Sequence, residues 1–171
     1  MFWMANVEGL LPNGTSNPSV HAGLRTRLSG IDAADHDDDT AQNWIRFSAD
    51  EMDDLGTAGI ISGIMSALGT ENPVYLSIDI DVLDPAFAPG TGTPEPGGWT
   101  TRELIRVLRG IEDLNLVGAD VVEVSPAYQG RGEETALAAA QVTYEIITSM
   151  VKRGMKEMGK EADKAAVKDE L

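Results

Sequence analysis

Apolar and polar positions along the chain change period several times, and each change marks an element. Between residues 58 and 68, Ile60, Ile61, Ile64, Met65 and Leu68 recur at helical spacing, and Gly69 follows as a stop. Residues 74–80, VYLSIDI, are almost continuously apolar, as in a parallel strand buried on both faces. Thr100 and Glu103 stand at capping-box spacing, and Leu104, Ile105, Leu108 and Ile111 form the buried stripe of the helix they open. Residues 117–124 predict a second core strand and residues 20–25 a shorter one. Residues 48–54 are polar and capping in character. The last helix is expected over about residues 133–152, with Gly154 able to close it. No internal repeat is visible. This αβαβα order predicts an α/β fold, three layers with helices on both sides of a mainly parallel sheet. Its elements describe part of a larger sheet, spanning residues 1–154. Residues 155–171 are rich in charge and poor in large apolar groups, a composition that predicts a flexible tail.

Composition narrows the chemistry. The 171 residues can bury one core. A net charge of −15 and a pI near 4.3 argue against nucleic acid or an anionic membrane as partner. The same charge would attract a small cation. With no cysteine, disulfides, thiolate zinc sites and cysteine nucleophiles are excluded. No apolar run approaches the length of a membrane span.

Candidate chemistry concentrates after the strand of residues 74–80. Asp79 and Asp81 are one residue apart, and in an extended strand side chains at i and i+2 share a face. Two hard oxygen donors at the carboxyl end of a strand can hold a divalent metal. The alternative is an ordinary turn, because Asp, Pro and Gly are common loop residues.

The string SIDIDVLDPAFAPGTGTPEPGG, residues 77–98, closely resembles the second metal signature of the ureohydrolases, the manganese enzymes that include arginase, agmatinase and guanidinobutyrase. SVHAGLRTRLSG upstream and VGADVVEVSPAY downstream extend the resemblance, which covers roughly residues 1–154. The glycine-rich PGTGTPEPGG is more similar to agmatinase-like members than to arginases. The resemblance implies an arginase-like fold and a binuclear manganese site, with Asp79 bridging two ions and Asp81 binding one. It also implies that Glu123, in VVEVSP, pairs with a substrate guanidinium; a carboxylate can accept two parallel hydrogen bonds from that fork. The alternative for Glu123 is a strand-end carboxylate held by a backbone amide. The implied reaction is hydrolysis of a linear, agmatine-like guanidino compound to urea and an amine, of the kind that yields putrescine, by a homo-oligomer in its complete form. Gln129 stands where agmatinase-like members often have Asp, which bears on substrate choice.

Other family motifs have no match here. The GGDH-type and DAHxD-type segments that supply the remaining ligands, and the acid/base His, lie upstream in the family and are absent from this chain. The chain therefore resembles the C-terminal half of a ureohydrolase, and a non-catalytic fragment, able to associate with complete subunits, is the second function class. Residues 35–39, DHDDD, lack the D-A-H-x-D spacing and predict a solvated acidic loop. His21 predicts a packed or hydrogen-bonded histidine. The chain ends in Lys168-Asp169-Glu170-Leu171, a retrieval address for the endoplasmic reticulum if the protein enters the lumen. Residues 1–10 do not form a signal peptide, so the chain as written is expected in the cytosol, and in the secretory pathway only if a longer N-terminus directs it there. Asn13-Gly14-Thr15 is an N-glycosylation sequon.

Overall fold

The computed structural model describes residues 2–11, 18–28, 30 and 32–169, with side chains described between 3 and 159. The sequon and the last two residues of the KDEL terminus lie outside the described residues. In chain order the elements are α1 (Phe2–Val7), β1 (Ser19–Leu24), α2 (Ala34–Ala41), β2 (Trp44–Ser48), α3 (Glu51–Leu68), β3 (Pro73–Asp79), α4 (Thr101–Gly110), β4 (Asn115–Val122) and α5 (Glu134–Asp169). Among the described residues all pairing between strands is parallel, β1 with β2 and β3 with β4 in two two-stranded sheets, so the expected α/β class is what the chain forms.

The predicted helices form for the reasons their patterns give. Gly69, at φ 65°, ends α3 with its N–H on the Met65 carbonyl at 2.9 Å. Gly56, at φ 64°, breaks the same helix after its first turn, so the regular part starts where the periodicity starts. At α4 the capping box is complete: the Glu103 N–H donates to Thr100 Oγ1 at 3.2 Å, and the Thr100 N–H donates to Glu103 Oε2 at 2.8 Å. Thr100→Ala removes half of that pair and is expected to destabilise the fold by about 1 kcal/mol, read as a lower urea midpoint at unchanged slope.

The core gathers Ile60 of α3, Ile80 and Leu83 after β3, Leu104 and Leu108 of α4, Leu114 before β4, and Val142 of α5. Arg109 of α4 and Glu145 of α5 join two of these helices. Arg109 Nε donates to Glu145 Oε2 at 3.0 Å, and this bond holds the Glu145 carboxyl below its usual range.

Four expectations are corrected. β3 is not buried on both faces: Val74, Leu76 and Ile78 turn inward while Tyr75, Ser77 and Asp79 are exposed, because the helices pack against one side of it. Strand β2 was not anticipated; it is short, and its WIRFS sequence sits between polar segments. Residues 35–39 are not a loop but most of α2, with Asp35 and Asp37 in its first turn, where the helix dipole favours them. Nor is Asp39 merely solvated, since it accepts from Arg46 Nη1 at 2.6 Å and lies 3.3 Å from His21 Nε2. Finally, Gly154 does not end α5, whose backbone stays helical to Asp169. A helical glycine costs only about 1 kcal/mol relative to alanine, and the following residues are strong helix formers with no proline.

His21 is packed and paired as expected, its ring stacked on Trp44 with centroids 3.9 Å apart. No helix among the described residues is long and apolar enough to cross a membrane.

Candidate active site

The carboxyl ends of β1 and β3 meet at one place. A Cβ on Gly23, the penultimate residue of β1, would lie 2.4 Å from Val82 Cγ2, so only glycine lets these segments approach so closely. Asp79 is the last residue of β3, and Asp81 lies in the 3₁₀ turn Ile80–Val82 that follows. The two acids are therefore brought together by a turn and not by the pleat of one strand. The Asp81 N–H donates to Asp79 Oδ1 at 3.1 Å and sets the turn.

The glycine-rich segment is a closed excursion stapled at its base. The Trp99 N–H donates to the Val82 carbonyl at 2.9 Å and the Asp84 N–H to the Trp99 carbonyl at 2.9 Å. Asp84 accepts from the Ala86 and Gly97 amides at 2.9 and 2.8 Å, which hold its carboxyl below the usual range. Trp99 is buried beneath, its indole N–H reaching the Ala49 carbonyl. At the far side of the loop, the Gly90 N–H donates to the buried Thr135 Oγ1 at 2.7 Å, and the Ser125 N–H donates to the Gly90 carbonyl at 2.8 Å.

This closure carries Thr93 to Asp81, where its hydroxyl donates to Oδ2 at 2.9 Å, while Arg25 Nη1 donates to Oδ1 at 3.0 Å. Each Asp81 oxygen keeps a further lone pair. The Asp79 carboxyl is pushed up to about 6, first by burial and then by the charges of Asp81 and Glu123, which outweigh the stabilising Asp81 amide. Asp79 and Asp81 are two hard oxygen donors side by side, a pair that suits a divalent cation. The donor chemistry therefore fits a metal, as part of a ligand set: among the described residues no group of three or more His, Cys, Asp or Glu stands ready to hold one.

Glu123 follows β4 directly, in register with the end of β3, since Asp79 pairs with Val122. It is exposed and has φ 62°, a left-handed conformation that a non-glycine residue rarely adopts. Gly92 of the loop lies beside it, since a Cβ built there would stand 3.5 Å from Glu123 Oε2. An open cavity of about 1360 Å³ runs past Asp79, Asp81, Arg25 and Thr93 to His21 and Asp39. Its described walls do not include Glu123, whose charge nonetheless reaches Asp79. Gln129 points elsewhere, accepting from the Ala136 N–H at 2.9 Å at the start of α5.

Residue patterns did not single out Arg25 and Thr93. The available signals were an arginine just beyond a strand end and a threonine among glycines, both of which are commonplace.

The arginase family model matches residues 1–148 of this chain, the span that holds the parallel strands, the paired acids and the glycine-rich loop. The chain belongs to the arginase family. It is 50% identical over 151 residues to the protein named "Putative agmatinase 3" of Schizosaccharomyces pombe, covering 88% of this chain and 35% of that protein. It is 44% identical over 147 residues to the agmatinase of Enterobacter sp. strain 638, covering 86% of this chain and 43% of that protein. Among solved structures, a hypothetical agmatinase from Burkholderia thailandensis superposes with a TM-score of 0.76 at 36% identity, covering 90% of this chain and 44% of that one. Proclavaminate amidino hydrolase from Streptomyces clavuligerus superposes at 0.75 with 38% identity, covering 87% and 46% respectively. The chain thus spans about two fifths of the length of the curated relatives it matches.

Proposed function

We propose that this chain supplies one wall of a manganese-dependent ureohydrolase site, acting on a linear, agmatine-like guanidino compound to give urea and an amine. The observation that carries the reading is the pairing of Asp79 with Asp81 beneath the loop, with Asp79 pushed up to about 6 by burial and by its acidic neighbours. The agmatinase names of its relatives support the substrate class.

Asp79 and Asp81 would hold the metal, which when bound supplies an activated water and Lewis-acid polarisation. Glu123, just beyond the end of β4, orients a guanidinium by accepting from its fork. The cavity beside the acids admits a small cation, and the chain's charge of −15 favours its approach.

The test compares this chain with a joined form, the same chain preceded by a segment carrying GGDH-type and DAHxD-type motifs and the acid/base His. The joined form should release urea from agmatine or 4-guanidinobutyrate. This chain alone should release none above background and should bind manganese weakly and below one equivalent in calorimetry. Two tight sites in the isolated chain, or a silent joined form that is folded and metal-loaded, would overturn the reading.

A further inference from the structure

The more enclosed member of the ion pair at Asp81 is not the acid. Arg25, in the segment just after β1, has a side chain only 9% exposed, against 14% for its partner Asp81. All three of its nitrogens are engaged: Nη1 donates to Asp81 Oδ1 at 3.0 Å, Nη2 to the Thr93 carbonyl at 3.0 Å, and Nε to the Glu95 carbonyl at 3.1 Å. The neighbouring Thr26 hydroxyl adds a bond to Glu95 Oε2 at 2.7 Å. Thr93 closes the ring from the other side by donating to Asp81 Oδ2.

We infer that Arg25 is a positioning residue, a clamp that fixes the Asp81 carboxylate and locks the Thr93–Glu95 stretch onto it. This rests on the reading of Asp81 as a metal-facing acid. A planar guanidinium can satisfy three acceptors in fixed directions, and an ammonium on a flexible stem cannot. With both oxygens held from outside, Asp81 presents its remaining lone pairs in one orientation. Groups that orient a metal-binding carboxylate in this way typically change affinity by about tenfold to a hundredfold when lost. The guanidinium charge by itself opposes a cation, so the direction of the effect is itself diagnostic.

The experiment uses this chain with Arg25→Met, Arg25→Lys and Thr93→Val, and Glu145→Gln as a control that loosens the α4–α5 contact, its side chain bonding to Arg109 and Gln141 and to none of Arg25's partners. Amide exchange over residues 92–95 reports the clamp, and the free-ion signal in a manganese titration reports the positioning. Arg25→Met should speed exchange there and weaken manganese binding by about tenfold. Lysine should restore only part of either. Thr93→Val, which changes no charge, should also weaken manganese binding, whereas Glu145→Gln should lower the melting temperature without changing it. Unchanged loop exchange in Arg25→Met would overturn the clamp. Equal or tighter manganese binding in Arg25→Met would overturn the positioning role and mark the guanidinium as a competitor. Loss of affinity in Glu145→Gln to the same degree would reduce Arg25 to a general stabiliser and overturn it as well. If the parent chain bound no manganese at all, the metal assignment would fall while loop exchange still decided the clamp.

Discussion

Asp79→Ala in the joined form is expected to cut urea formation by at least about a thousandfold, since removing a metal-holding carboxylate forfeits several kcal/mol of transition-state stabilisation. The structure gives the reason for choosing Asp79 over its neighbours. It stands at the end of β3, Asp81 leans on it through a backbone N–H at 3.1 Å, and burial and nearby negative charge together push its carboxyl up. Glu123→Ala should behave differently. Losing the charge-assisted bonds to a guanidinium should raise KM by about tenfold to a hundredfold, with metal content unchanged. Steady-state urea assays with metal analysis separate the two. An Asp79→Ala protein that kept its full rate would remove the metal assignment, and a Glu123→Ala protein that lost manganese would move Glu123 from substrate to metal.

The residues that read well from sequence alone are those whose role is local. Thr100 and Glu103 cap α4 through bonds spanning three residues, and Gly69 ends α3 through its own dihedral angle. Asp79 and Asp81 could be paired from their spacing, although a 3₁₀ turn does the pairing and not the strand. What could not be read depends on partners distant in the chain. Arg25 finds Asp81 only because β1 and β3 end side by side, and Asp39 leaves solvent only because β2 brings Arg46 to it. The outward face of β3 illustrates the same limit. An apolar run predicts burial on both sides, yet which side the helices cover is set by the connections, and Tyr75 stays exposed with its hydroxyl on Asp120 at 2.9 Å. The end of α5 failed for a different reason, because one glycine is a weak stop when helix formers follow it.

Gly98→Ala is expected to be among the most disruptive single-methyl changes in the chain. A Cβ at this position would lie 2.4 Å from the Asp84 nitrogen, 2.6 Å from the Leu83 carbonyl carbon and 2.8 Å from the Val82 oxygen. All three are backbone atoms, so no side-chain rotation relieves the contact. They also belong to the staple in which Trp99 and Asp84 exchange bonds with Val82 and with each other across the base of the loop. Overpacking of this kind costs about 1–3 kcal/mol where side chains can yield, and an unyielding backbone places the expectation at or above the upper end, about 3 kcal/mol. Gly97→Ala next to it meets no atom within 4 Å but has φ 94°, so its cost is conformational alone and should be smaller, about 1 kcal/mol. Urea unfolding of both variants measures the difference. If Gly98→Ala cost no more than Gly97→Ala, the strands would not close as tightly beneath the loop as the structure shows. If it cost more, the fit of Gly98 against the Val82–Asp84 backbone closes the base of the loop that Arg25 ties to Asp81.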